Sequence, residues 1–345
     1  MVDTQRRFSR ASILGITILC VALAILPFVT STTSLRQASQ IIVSVLAVLG
    51  VNVATGYGGM ISLGHGVFVG VGAFATGYYV DDLSLPWLLA IALGTLTAAL
   101  SGALVGLPAL RIKGIHLALV TLGLAIVFQP LSKRFPKFTG GVSGTGIDAR
   151  FDAPNWWPGD SRMASAVYRY LFCVLVVVLA LWVTWNIVNS RFGRSMRAIR
   201  DNEEAASAMG KNIVKQHLFI FILGSAIVGI AGAMMVTNDG LFTPGSYRPM
   251  RYTFVIWVMV IVGGTGNNFG AILGGFVVWF LWVQAAPMAL FFINLFTSHL
   301  PETNAIRVHL VESAPYFRFL LVGIGLLLIM RFRPQGILPE KIIKQ

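Results

Sequence analysis

Apolar residues in this chain run on for lengths that a soluble core has no use for. Ten such runs follow one another, at roughly 11–30, 38–56, 64–80, 86–108, 114–131, 166–188, 216–237, 252–264, 268–292 and 315–331. The hydrocarbon core of a bilayer is spanned by about 20 residues of α-helix, and most of the runs are near that length. The alternative, a soluble fold, fails on composition. The chain is 56 % hydrophobic and 11 % charged, whereas soluble domains carry about 25 % charge and must cover their surface with polar groups. The runs therefore predict an all-α polytopic membrane protein of about ten transmembrane helices, with residues 1–345 forming a single transmembrane domain.

Charge supports this count independently. The net charge of +13 could signal a nucleic-acid partner, but the Lys and Arg residues lie in short loops between apolar runs, where the positive-inside rule places them. No nucleic-acid partner is expected; the lipid bilayer is. If Arg6, Arg7 and Arg10 are cytoplasmic, alternation puts Arg111, Lys113, the 189–215 segment and the C-terminal tail on the same side. These regions hold more than half of the 26 Lys and Arg residues. Asp81, Asp82 and the 132–165 loop fall outside. An even number of spans keeps both termini cytoplasmic. The basic start followed by an apolar run resembles a signal peptide, but the run is long and lacks a clean small-x-small site, so an uncleaved first span is expected.

Two glycine-rich breaks interrupt the pattern. Gly56-Tyr57-Gly58-Gly59-Met60-Ile61-Ser62-Leu63-Gly64-His65-Gly66 separates the second and third runs, and Gly263-Gly264-Thr265-Gly266-Asn267-Asn268-Phe269-Gly270 the eighth and ninth. Two readings are open for each. They are turns at the cytoplasmic surface, or they are irregular backbone at membrane depth. Transporters use the latter beside a solute path, and on that reading Tyr57, Gly58, Gly59, Ser62, Gly64, His65, Gly263, Gly264, Gly266 and Asn267 are the candidate path residues. The external loop carries Pro136, Pro154, Pro158, several glycines and Trp156-Trp157, which argue against a long helix and for an interfacial anchor or a docking surface.

The segment 190–213 is the most informative. From Met196 it combines good helix formers with apolar side chains at Met196, Ile199, Ala206, Met209 and Ile213, one face of a helix of about four turns ending at Gly210. So short a helix has no core of its own. Its apolar face must be covered by the membrane surface, by the cytoplasmic ends of the same chain, or by a cytosolic protein with a groove.

Within it, Glu204-Ala205-Ala206-x-x-x-Gly210 resembles the EAA loop of ABC importer permeases. The flanking Gly193-Arg194-x-x-Arg197-Ala198-Ile199-Arg200-Asp201-Asn202-Glu203 is similar to permeases of the branched-chain amino acid importer family, of the LivM type. So are the first glycine-rich break, Gly106-Leu107-Pro108-Ala109-Leu110-Arg111, and Phe332-Arg333-Pro334-Gln335-Gly336-Ile337-Leu338. The likeness runs from about Val45 to Leu338. One departure stands out: the fuller EAA pattern ends in Leu-Pro, where this chain has Ile222-Leu223 without proline. The resemblance implies a bacterial inner-membrane permease whose 190–213 loop couples it to ATPase subunits through Glu204, Ala205, Ala206, Gly210, Arg197 and Arg200. It implies as partners two cytosolic ATPase subunits, a second homologous permease and an external solute-binding protein, and as substrate branched-chain or other neutral amino acids, urea or short amides.

No Gly-x-x-x-x-Gly-Lys-Ser/Thr phosphate loop occurs in the sequence, so ATP and Mg would be used by the partner subunits and no cofactor is expected on this chain. No catalytic constellation or metal-ligand spacing stands out either, and Cys20 and Cys173 sit in apolar runs, where inert packing is the expectation. His65 and His116 are packing or solute-binding histidines, and Asn52, Gln129 and Gln284 line a path or bond across helices. Arg169 and Arg318 are expected to snorkel. Acidic residues within spans are scarce, which disfavours an ion-coupled transporter working alone.

Overall fold

In the computed structural model, residues 23, 25–27, 29–112, 114–147, 161–247, 250–299, 301 and 304–340 are described. Most of the predicted run 11–30 lies outside them, as do Cys20, Lys113, Pro154, Trp156, Trp157 and Pro158. The remaining predicted runs all coincide with helices. Helix α1 is Thr32–Asn52, extended by a π-helical turn at Val53–Tyr57. It is followed by α2 (Val67–Asp81), α3 (Trp87–Ala109), α4 (Ile115–Lys133) and a single turn, α5 (Pro136–Thr139). Helix α6 (Ser161–Asn189) leads into two short helices, α7 (Arg191–Asp201) and α8 (Glu203–Ala208). Then come α9 (Ile213–Asp239), a second π turn at Met250–Val255 running into α10 (Ile256–Gly263), α11 (Asn268–Phe296), α12 (Ala305–Ser313) and α13 (Phe317–Phe332). Among the described residues, seven helical segments are long and apolar enough to cross a bilayer. Two shorter apolar helices, Val67–Asp81 and Tyr252–Gly263, accompany them.

Burial ranks these helices. In the most apolar window of each, 78 % is buried for 32–57 and 67 % for 213–239, against 6 % for 305–332. Helices α1 and α9 are therefore the centre, and α12–α13 the periphery. Helix α9 packs on α1, α2 and α3, while α1 also meets α6, α10 and α11. In lipid there is no hydrophobic gain from burying one apolar helix against another, so close backbone approach has to hold them together. Small residues provide it. A Cβ on Gly72 of α2 would run into the Gly229 carbonyl of α9, and one on Gly50 of α1 would stand 2.8 Å from the Gly224 carbonyl.

The two ends of the bundle differ. At one, two-residue strands β1 (Thr145–Gly146) and β2 (Leu241–Phe242) pair antiparallel and clasp the loop after α4 to the loop after α9. Arg36 meets Asp239 there at 3.8 Å. At the other end lie α7, α8, both glycine breaks and the tail 333–340.

Candidate functional site

The α7–α8 end is built from local caps upward. Ser190 opens α7 by accepting the Gly193 N–H, and Phe192 packs edge-on against Phe219 of α9 at 4.8 Å. Met196 and Ile199 are buried, so the apolar face of α7 is covered by the chain's own helix ends. The single four-turn helix expected from Met196 to Gly210 is instead two helices. Asn202 takes extended backbone angles and its Oδ1 accepts the Ala205 N–H. An Asn cap with Glu203 and Glu204 in the next turn starts a new helix more favourably than it continues the old one. Helix α8 buries only Ala206 and ends at Ala208, two residues before Gly210, whose φ of +74° is left-handed. Glu204, Ala205, Ser207, Ala208 and Gly210 are exposed, and Met209 is 81 % exposed.

The first break leaves the regular helix at Tyr57, which is buried, and turns at Gly58 and at Gly59, whose φ is +66°. Its irregular backbone is satisfied by side chains, as membrane depth requires. The Leu63 N–H donates to Thr121 Oγ1 at 3.0 Å, and Trp257 Nε1 donates to the Ser62 carbonyl at 3.1 Å. Gly64 packs directly against the Thr121 backbone. Ser62 is buried and its hydroxyl bonds His65 Nδ1 at 2.8 Å. His65, 1 % exposed, stands edge-on to Phe68 and Phe221. Phe221 lies about 12 Å along α9 from its start, at 1.5 Å per residue. The segment 60–66 thus re-enters the bundle instead of skirting its surface, and α2 is correspondingly short. His116 is exposed.

The second break is a tight turn at the bundle end. Gly264 and Gly266 have φ of +109° and +77°. Asn267 caps α11, its Oδ1 accepting the Phe269 and Gly270 N–H groups, while its Nδ2 donates to the Leu338 and Pro339 carbonyls of the tail. The Ile337 and Leu338 N–H groups bond back to Val262 and Gly263. Asn52 joins the breaks: its Oδ1 accepts the Gly266 N–H at 3.1 Å, and its Nδ2 donates to Asn268 Oδ1, while Asn268 Nδ2 donates to Thr184 Oγ1. Gln129 bonds the Pro244 carbonyl across helices.

Arg200 is the centre of this end. The resemblance gives Arg200 a part in coupling to ATPase subunits; in the structure its guanidinium points inward. Nη1 donates to the Gly56 carbonyl at 2.7 Å and to Glu340 Oε2 at 2.8 Å, and Nε to Asp201 at 3.2 Å. Burial works against its charge, but the bonds and attraction from Glu340 and Asp201 outweigh that and raise its pKa. Arg197 reaches the Val188 carbonyl at 3.4 Å. Glu340 and Thr184 had no signal in the sequence, since each acts only through residues far away in the chain.

A cavity of about 520 Å³ opens at this end. It is lined by Gly59, Met60 and Ile61 of the first break, by Glu203, Ser207 and Lys211 of the α8 segment, and by Leu110 and Ile112. Among the described residues no group of three His, Cys, Asp or Glu side chains is placed to hold a metal. The site combines a re-entrant segment, a cavity beside it, and an exposed helix tip that lines the same cavity.

The chain is 26 % identical to the high-affinity branched-chain amino acid transport system permease protein LivM of Salmonella typhimurium, over 91 % of this chain and 72 % of that protein. It is 25 % identical to the probable LivM permease of Methanocaldococcus jannaschii, over 85 % of this chain and 89 % of the relative. Identity to the Salmonella typhimurium permease LivH is 24 %, over 67 % and 78 %. No solved structure matches. Residues 34–330 match the family model described as branched-chain amino acid transport system / permease component, and the chain, a multi-pass membrane protein, belongs to that family.

Proposed function

We propose that this chain is a membrane-spanning subunit of an ATP-driven importer for branched-chain or other neutral amino acids, without an ATPase site of its own. The observation that carries the proposal is the α8 tip, residues 203–210, which stands off the bundle with Met209 projecting. Its EAA-like sequence and its exposure fit insertion into a groove of a cytosolic ATPase subunit. The α7–α8 end would then be cytoplasmic, in keeping with its Arg191, Arg194, Arg197, Arg200 and Lys211. The β1–β2 end would face a solute-binding protein outside the inner membrane. Relatives of both the LivM and LivH types favour a second, homologous permease beside this one. Solute would pass beside the re-entrant 60–66 segment and leave through the cavity it lines.

The test is reconstitution of the chain with its neighbouring ATPase, second permease and binding protein. Leucine, isoleucine, valine and urea uptake would be measured with and without ATP. ATP-dependent uptake of a neutral amino acid is expected. Met209→Ala is expected to weaken ATPase association about tenfold or more, as loss of an interface anchor does, while leaving the melting of the chain unchanged. Uptake that persists without the ATPase and collapses with the ion gradient would sink the reading.

A further inference from the structure

The two glycine breaks were separable features in the sequence, yet they meet in one polar node. Asn52 and Gly266 are 214 positions apart and hydrogen-bonded. A Cβ on Gly56 would run into the Gly266 amide, and one on Gly266 would lie 2.7 Å from Glu340 Oε2 and 3.2 Å from Arg200 Nη1. A Cβ on Gly59 would lie 2.7 Å from Arg200 Cγ. The side chains of Arg200 and Glu340 are only 22 % and 20 % exposed. Arg200 therefore touches the end of α1 at Gly56, the wall of the cavity at Gly59, and the tail that is stitched to the second break.

The chemistry explains why an arginine stands there. The turn at Val53–Tyr57 ends a helix, whose last carbonyls carry partial negative charge; those of Val53, Ala54 and Thr55 accept from the Gly58, Met60 and Gly59 N–H groups, whereas that of Gly56 accepts from Arg200. A guanidinium answers one of them and still has donors for two carboxylates, which a lysine ammonium cannot do in a planar fork. The side chain starts on α7, two residues before the Asn202 break, so it moves with the segment that leads to the exposed α8 tip.

We propose that Arg200 is a positioning residue for transport: through Gly56 and Glu340 it links the α7–α8 segment to both glycine breaks, so that displacement of α8 moves the cavity wall and the tail together. This rests on the reading that α8 receives an ATPase subunit. Displacement without Arg200 leaves the Gly56 carbonyl and the 59–61 wall behind, and hydrolysis is then uncoupled from uptake.

Two measurements test it in the full complex and in the chain alone. In proteoliposomes of the complete transporter, Arg200→Ala and Glu340→Gln are expected to lower uptake per ATP hydrolysed, Arg200→Ala by about tenfold, the scale of a lost hydrogen bond to a charged group. Arg200→Lys should fall between it and the parent. Arg194→Ala, an equal loss of charge from the exposed face of α7, should leave the ratio unchanged. In membranes holding the chain alone, without Cys20 and Cys173, a Met60→Cys reporter is expected to react with maleimide several-fold faster when combined with either node substitution. An unchanged uptake-to-hydrolysis ratio in Arg200→Ala and Glu340→Gln overturns the proposal. If Arg200→Ala does not assemble, Glu340→Gln decides by the same ratio. If no ATPase subunit binds even the parent chain, the importer reading fails instead, and the Met60→Cys rates still decide whether the node holds the cavity wall: equal rates overturn it.

Discussion

Replacing Gly56 by alanine probes the node at its tightest point. The added methyl would run into the Gly266 amide, lie 2.5 Å from Asn52 Oδ1 and 3.0 Å from Gly266 Cα. These are backbone and buried side-chain atoms with little room to yield, so the end of α1 and the 264–267 turn must separate. That separation stretches the 3.1 Å bond from Gly266 to Asn52. Overpacking of this kind costs about 1–3 kcal/mol and a lost hydrogen bond about 1 kcal/mol. Alanine's better helix propensity returns up to ~1 kcal/mol, leaving a net loss of about 1–4 kcal/mol. Gly123→Ala is the matched control, because nothing lies within 4 Å of its Cβ position. It should gain up to ~1 kcal/mol from propensity alone. At about 2 °C per kcal/mol for a chain of this size, Gly56→Ala should melt several degrees below the parent and Gly123→Ala at or slightly above it. Tryptophan fluorescence in detergent reads both. Equal melting of the two variants would refute the idea that direct contact between the breaks holds this end together.

The same melts test the buried amide chain: Asn268→Ala should cost about 1–3 kcal/mol, because it orphans Asn52 Nδ2 inside the bundle. Thr184→Val should cost a similar amount, since it removes the acceptor of Asn268 Nδ2 and orphans that buried donor instead. Sidedness is checked with a membrane-impermeant maleimide on single cysteines. Val142→Cys, 78 % exposed beside β1, should label only from outside, and Met209→Cys, 81 % exposed, only in inverted vesicles. Labelling of both from one side would overturn the topology.

The spans were legible because apolar run length is a direct physical requirement of the bilayer, and α3, α4, α6 and α9 begin and end within a few residues of the runs that predict them. The amphipathic face of 196–199 was legible too, but not what covers it, since periodicity reports that a face must be buried and not against what. The split at Asn202 carried its own signal, a capping residue followed by two acids, which the apolar spacing on either side obscured. Helix α12 escaped because it buries nothing among the described residues and so lacks a core pattern. For the breaks, composition announced irregular backbone but could not place it. The depth of 60–66 depends on Thr121 of α4 and Trp257 of α10, both far downstream in the chain.

Glycine works in opposite ways in the two halves of this molecule, and the difference bears on where motion can enter. Between α1, α2 and α9 it removes side chains so that backbones meet directly, which leaves no loose atoms to rearrange. In the breaks it frees the backbone from helical pairing and exposes carbonyls that something else must satisfy. The first arrangement resists displacement, whereas the second invites it wherever the satisfying group can move. At Leu63 and Ser62 the partners are Thr121 and Trp257, held on α4 and α10 within the bundle. At Gly56 the partner is Arg200, on a short helix outside the bundle whose next segment ends in an exposed tip. Of these break carbonyls and amides, Gly56 is thus the one whose hydrogen bond a partner pressing on α8 can pull, and a guanidinium shared with Glu340 carries that pull to the second break.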